Sequence, residues 1–240
     1  MVGRACERSD AIALGSPRSP PTNPVPVEPF STLASAPEPP LDELALAMAG
    51  ELREVDSDGA LAQLDALAAE LAPAAGGGPE AEVEALRELL ARRHGFSGDR
   101  EEYDHPDNSM LDLVLERRKG LPILVSTVYV EVARRAGIQV AGVGLPGHFV
   151  VAHFGQSPSL LFDPFGGGTP LAQGEPLPVS PSGPHETVMR MLNNLVLSYG
   201  RRADLSRAIR AAELRLELPV GGEARTMFEA ELRSLRARLN

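Results

Sequence analysis

Cysteine is almost absent from this chain of 240 residues. A single one, Cys6, excludes an internal disulfide and a thiolate metal cage. Lysine is as scarce: 22 of the 23 basic residues are arginine and Lys119 alone is lysine, which reads first as a coding bias. Long apolar runs are missing as well. None approaches the roughly 18 residues that a membrane span needs. The longest apolar stretch near the start, Ala11-Ile12-Ala13-Leu14, is too short for a signal-peptide core. These absences lead us to expect a soluble, cytoplasmic protein.

A surplus of positive charge is lacking too. Acidic residues number 33 against 23 basic ones, for a formal net of -10. Residues 41–119 carry 19 acids and 8 bases, whereas 185–240 carry 7 acids and 10 bases. Binding to nucleic acid needs excess cations to displace the counterions of phosphate, so that function class is excluded. The basic C-terminal stretch is suited at most to an acidic partner.

What is plentiful is proline and glycine, unevenly spread. Nine of the 22 prolines fall within residues 1–40, among Ser and Ala and few large apolar side chains. Such a segment buries too little to offset its ordering entropy, and a disordered leader is expected over 1–40. From Leu41 the periodicity turns helical. Leu61, Leu64, Leu67, Ala68 and Leu71 recur at spacings of three and four, and Gly76-Gly77-Gly78-Pro79 follows as a linker. A further helix holds Val83, Leu86, Leu89 and Leu90 inward, with Glu80, Glu82 and Glu84 in its first turn, where the helix dipole favours anions. Residues 41–104 therefore read as a helical layer.

The stretch 105–184 differs in kind. Asn108 or Ser109 is placed to cap a helix that Gly120 ends, and Pro122 suits the first turn of the next, which runs to Arg135. That helix is apolar nearly all round and should be buried. Three strands are expected at Gln139–Gly144, His148–Phe154 and Leu160–Phe162. Helices return over 185–240. The fold class is α+β: a buried helix against a small antiparallel sheet, flanked by helical layers.

Four motifs follow in order: Gly120-Leu121-Pro122-Ile123, Ala133-Arg134-Arg135-Ala136-Gly137-Ile138, Pro146-Gly147-His148-Phe149 and Phe162-Asp163-Pro164-Phe165. Together they resemble the SirB family of bacterial proteins, whose core is similar to a transglutaminase (papain-like) domain. The resemblance covers roughly residues 41–218. Arg190-Met191-Leu192-Asn193-Asn194-Leu195 matches the family's next helix, after which tetratricopeptide-like helices usually follow. Here the last 20 residues depart from that pattern and look truncated.

The resemblance implies a cysteine at the start of the buried helix, a histidine on the next strands and an aspartate one strand further. His148 and Asp163 match the last two. The cysteine position falls near Leu121, Pro122 or Ile123, none of them a nucleophile. Cys6 sits in the leader, without fixed geometry. Ser126, one turn below Pro122, is an alternative nucleophile, although a serine in a buried helix more often returns its hydroxyl to a carbonyl one turn back.

No metal site and no cofactor are expected. His148 and His153 are five apart and face opposite sides of a strand, and Asp104, His105 and Asp107 beside Pro106 read as a turn and N-cap. The leading expectation is a binding or regulatory module that holds a peptide or loop of a protein partner in a groove between the Pro122–Arg135 helix and the strands of His148 and Asp163. The alternative is a hydrolase or acyltransferase with His148 as base, Asp163 orienting it and Ser126 or water attacking. A helical adaptor working through 185–240 is the third.

Overall fold

The computed structural model describes residues 27–171 and 178–239. Cys6 and the first 26 residues lie outside them, so the leader is described only from Val27 onward. There the expectation of disorder does not hold. Phe30–Ser35 form a helix, α1, whose Phe30, Leu33 and Ala34 are buried. The surrounding prolines delimit the helix, and three apolar side chains suffice to dock it.

Helices α2 (Leu41–Gly50) and α3 (Ser57–Leu71) follow. Asp56 caps α3 by accepting from the Gly59 N–H at 3.0 Å. α3 buries Ala60, Leu64, Leu67, Ala68 and Leu71, a stripe at helical spacing. α4 (Pro79–Leu86) starts on a proline and widens into a π-type turn over Arg87–Arg93. The strand β1 (Ser97–Gly98) pairs in parallel with β2 (Lys119–Gly120).

Between these strands lie a 3-10 turn (Pro106–Ser109) and α5 (Leu111–Arg117). Neither Asn108 nor Ser109 caps α5, contrary to expectation. Asn108 is wholly buried; its amide donates to the Glu102 carbonyl at 2.7 Å and its Oδ1 accepts from Arg117 at 3.2 Å. Nor does Gly120 end α5. Arg118 does so, in the left-handed region at φ 61°, which leaves Gly120 free to pair in β2.

α6 (Pro122–Ala136) is the centre of the molecule, with eleven of its fifteen residues buried. It stops at Gly137, where the Ile138 N–H returns to the Ala133 carbonyl at 2.9 Å. Its polar side chains are all accounted for by partners except one. Thr127 donates to the Ile123 carbonyl at 2.8 Å, and Glu131 accepts from Arg134 and Arg135, each at 2.8 Å. Arg135 also pairs with the buried Asp42 of α2 and, at 2.7 Å, with Asp65 of α3. Burial, and then the charge of Asp42, pushes the Glu131 carboxyl above its usual range. The exception is the hydroxyl of Tyr129.

An antiparallel sheet in the order β3-β4-β5-β6 packs on α6: Val140–Leu145, His148–His153, Leu160–Asp163 and Thr169–Pro170. Alternation sorts its faces. Phe149, Val151 and Phe162 join the main core with α6, whereas Val143, Val150, Ala152 and Leu161 form a second cluster beneath Leu145, Phe154, Leu171 and Val179. α7 (Pro184–Arg201), α8 (Leu205–Glu217) and α9 (Gly222–Leu239) complete the chain, and their apolar faces belong to the same continuous core as α2 and α6. The expected α+β class is the observed one. No helix among the described residues is long and apolar enough to cross a membrane.

Candidate functional site

The register of the sheet brings His148 and Asp163 together. Val151 faces Phe162 across β4 and β5, so one step further Val150 stands opposite Asp163, and His148 is its diagonal neighbour. His148 Nε2 lies 3.2 Å from Asp163 Oδ2. The side chains keep 33% and 19% of their exposure, so the pair is sheltered but open to a ligand.

Local backbone bonds fix the carboxylate. The Phe165 N–H donates to Asp163 Oδ1 at 3.0 Å, and the Gly168 N–H to the Asp163 carbonyl at 2.8 Å. One oxygen is thereby held by its own turn and the other faces the imidazole. Phe165 supports the histidine from the side, its ring edge-on to His148 at 6.4 Å. The same ring meets Tyr103 at 5.9 Å, and the Arg100 guanidinium stands 5.4 Å over it.

Asp99 pins the loop that carries Arg100 and Tyr103. It accepts from the Glu101 and Glu102 N–H groups at 3.2 and 3.0 Å and from Arg117 at 3.3 Å. The Glu102 N–H is the first cause of a carboxyl held below its usual range, against the opposing effect of burial. At the other end of the loop, Ser198 and Arg202 donate to the Asp104 carbonyl, and Arg201 pairs with the Asp104 carboxylate. The expected turn is present here: the His105 ring accepts from the Asp107 N–H at 3.3 Å. Among the described residues no group of three His, Cys, Asp or Glu side chains is gathered to hold a metal ion.

Two expectations about the site need correction. Ser126 is wholly buried, and its hydroxyl donates to the Phe149 carbonyl at 3.4 Å, across to β4 rather than one turn back and not toward His148. The groove foreseen between α6 and the strands is filled, because Val125 and Tyr129 of α6 share one core with Val151 and Phe162. The exposed part of the site lies instead at the strand ends, where His148 meets Phe165, whose ring in turn meets Tyr103 and Arg100. The other histidine of β4, His153, faces the opposite way, as alternation requires. It is buried, with Nε2 at 2.6 Å from Glu82 and Nδ1 accepting from the Gly155 N–H at 3.0 Å. Glu82 therefore does not face solvent at the start of α4; it also accepts from the Gly76 N–H at 2.7 Å.

Residues 58–176 match the sequence profile of the transglutaminase-like superfamily, a span that runs from α3 through the whole four-stranded sheet. This region is a transglutaminase-like domain. Proteins of the UPF0162 group are similar to the chain. One from Xylella fastidiosa is 37% identical over 153 residues, covering 56% of this chain and 54% of its own. One from Pseudomonas aeruginosa is 37% identical over 120 residues, covering 48% and 44%. The mouse F-box only protein 21 is 35% identical over 69 residues, 29% of this chain and 11% of its own. The chain thus spans about half the length of the Xylella relatives. No solved structure matches it at a significant level.

α6, at whose start the resemblance implies a nucleophilic cysteine, opens here on Leu121, Pro122 and Ile123. Sequence reasoning named His148 and Asp163, and the structure brings the two side chains together. The same reasoning missed Phe165, although the residue closes the same Phe162–Phe165 motif, because only the carboxylate in that motif was given a role. The role of Gly98 comes from strand pairing, and Asp99, which bonds the N–H groups two and three residues on, is brought to the site only by the loop that this pairing closes.

Proposed function

We propose that the transglutaminase-like domain is a binding and regulatory module. Its surface would recognise an extended peptide or loop of a protein partner, with His148 and Asp163 at the polar centre. The observation that carries this reading is a partly exposed imidazole–carboxylate pair, 3.2 Å apart, with no nucleophile directed at it among the described residues. Acyl transfer needs an attacking atom about 3 Å from the base, and Ser126 gives its proton to a backbone carbonyl instead. Phe165 beside the pair, with Tyr103 and Arg100 against its ring, supplies apolar and cationic contacts of the kind that anchor peptides. On its four ordered motifs we assign the chain to the SirB family.

Selection of displayed random peptides against the whole chain tests this. Enriched peptides should lose binding to His148→Gln and retain it with Ser126→Ala, and generic thioester and amide substrates should not turn over. Turnover that disappears in both variants would establish the hydrolase or acyltransferase reading instead.

A further inference from the structure

Among the described residues Tyr129 is the largest of the fully buried side chains, and its hydroxyl has no hydrogen-bond partner. A sealed, unpaired hydroxyl is costly, so such groups nearly always turn out to have a partner. Its surroundings indicate which. The ring leans on Phe162, the residue before Asp163, with centroids 6.1 Å apart. The hydroxyl oxygen reaches the Gly166–Gly168 turn, 3.3 Å from where a Gly168 Cβ would stand. The opposite end of that turn touches the carboxylate: a Gly166 Cβ would stand 3.1 Å from Asp163 Oδ2. The Gly166–Gly168 turn thus lies beside both a hydroxyl with no acceptor among the described residues and the carboxylate that faces His148. The stem of Arg87, at the start of the π-type turn, closes the same space, its Cβ and Cγ 3.2 Å from the Gly168 position.

We propose that Tyr129 is a positioning residue for the His148–Asp163 pair, its hydroxyl engaging Asp163 beside the Gly166–Gly168 turn through one trapped water. A buried water needs two to four polar partners; the Tyr129 hydroxyl and the Asp163 carboxylate supply two, while the Arg87 guanidinium turns away to pair with Glu84 at 3.2 Å. Burial raises the Tyr129 hydroxyl far above its ordinary range, and the charge of Asp163 adds to this against the pull of Arg87. The hydroxyl therefore keeps its proton and acts as a donor. A donor held on the far side of Asp163 fixes the carboxylate's rotation, and with it the oxygen offered to His148.

The inference rests on His148 and Asp163 being the working pair, and its test reads that pair directly rather than any partner. In the wild-type chain, Tyr129 ring protons should show cross-relaxation to a long-lived internal water. Ring nitrogen shifts of His148, identified by their loss in His148→Gln, should report one dominant tautomer with the proton on Nε2. Tyr129→Phe should shift them toward averaged, exchanging values and leave those of His185 unchanged. A cooperative unfolding transition would show that the variant is folded. Should Tyr129→Phe not fold, the wild-type cross-relaxation decides alone. Absence of the water signal overturns the proposal, as does a Tyr129→Phe variant of higher melting temperature with unaltered His148 shifts, which would mark a dry structural hydroxyl. Peptide binding lost in His148→Gln while these shifts stay silent would reject the role of Tyr129 alone. Altered shifts without any peptide binding would reject the binding reading and leave Tyr129 in place.

Discussion

The ring of Phe165 occupies the space that a side chain at Gly98 would need. A Cβ on Gly98 would meet Cδ2 and Cε2 of that ring at 2.2 Å. The backbones are tied as well, the Gly98 N–H donating to the Phe165 carbonyl at 3.0 Å. β1 is thus the seat on which the aromatic neighbour of His148 rests. Gly98→Ala forces the ring away, with an expected loss of about 1–3 kcal/mol for overpacking. Denaturant unfolding measures that loss. The His148 ring protons should shift in parallel as the edge-on contact is lost, and an unmoved Phe165 would disprove this account of the seat.

Phe30 is 1% exposed and belongs to the main core, although it lies in the proline-rich stretch. Phe30→Ala should destabilise the chain by about 3–5 kcal/mol, the range for emptying a buried aromatic site. A chain beginning at Leu41 should show a comparable drop. Equal unfolding midpoints for the wild type and Phe30→Ala would return residues 27–40 to the status of a dispensable leader.

What the sequence made legible, and what it did not, divides along physical lines. The α6 helix and the three longer strands come from local periodicity, and their observed bounds differ from expectation by a residue or so. Phe30–Ser35 was missed because six residues among prolines give no periodic stretch, while the docking contacts come from elsewhere in the chain. Arg118 in a left-handed conformation replaced Gly120 as the end of α5, because β2 pairing with Ser97–Gly98 needs Gly120 extended. His148 and Asp163 were named from ordered motifs, and their adjacency follows from the β4–β5 register. The Glu82–His153 pair, 71 residues apart, could not be named in this way. Glu82 reads equally well as an anion at a helix start, and only tertiary packing sets it against the imidazole.

Asp99 links pH to the loop beside the site. Its carboxyl is held below the usual range, chiefly by the Glu102 N–H. A group with a depressed folded pKa stabilises above its unfolded value and loses that contribution as pH falls through the folded one. Asp99→Asn should therefore cost about 1 kcal/mol at neutral pH, the difference between a charge-assisted and a neutral hydrogen bond. The gap between wild type and variant should close as pH drops below the ordinary Asp value of about 3.9. Urea unfolding at pH 7 and at the lowest pH where both remain folded gives the comparison. A gap that does not narrow would mean that the charge of Asp99 is not what holds the loop.

The two histidines of β4 should separate binding from scaffold. His153 Nδ1 accepts the Gly155 N–H, so the ring proton is on Nε2, directed at Glu82 2.6 Å away. Glu82 in turn holds Gly76 of the linker before α4. Removing the imidazole leaves a buried carboxylate short of a donor and a Gly155 N–H short of an acceptor. His153→Ala should lower stability by roughly 3–5 kcal/mol, the cost of breaking a buried pair. His148 is a third exposed, and water replaces it, so His148→Ala should change stability by no more than about 1 kcal/mol. Peptides selected on the wild type should bind folded His153→Ala with unchanged affinity and fail to bind His148→Ala. Unfolding curves and one binding isotherm for each variant suffice. A stability loss at His148 as large as that at His153, with binding intact, would make His148 and Asp163 a structural pair and remove the centre of the proposed surface.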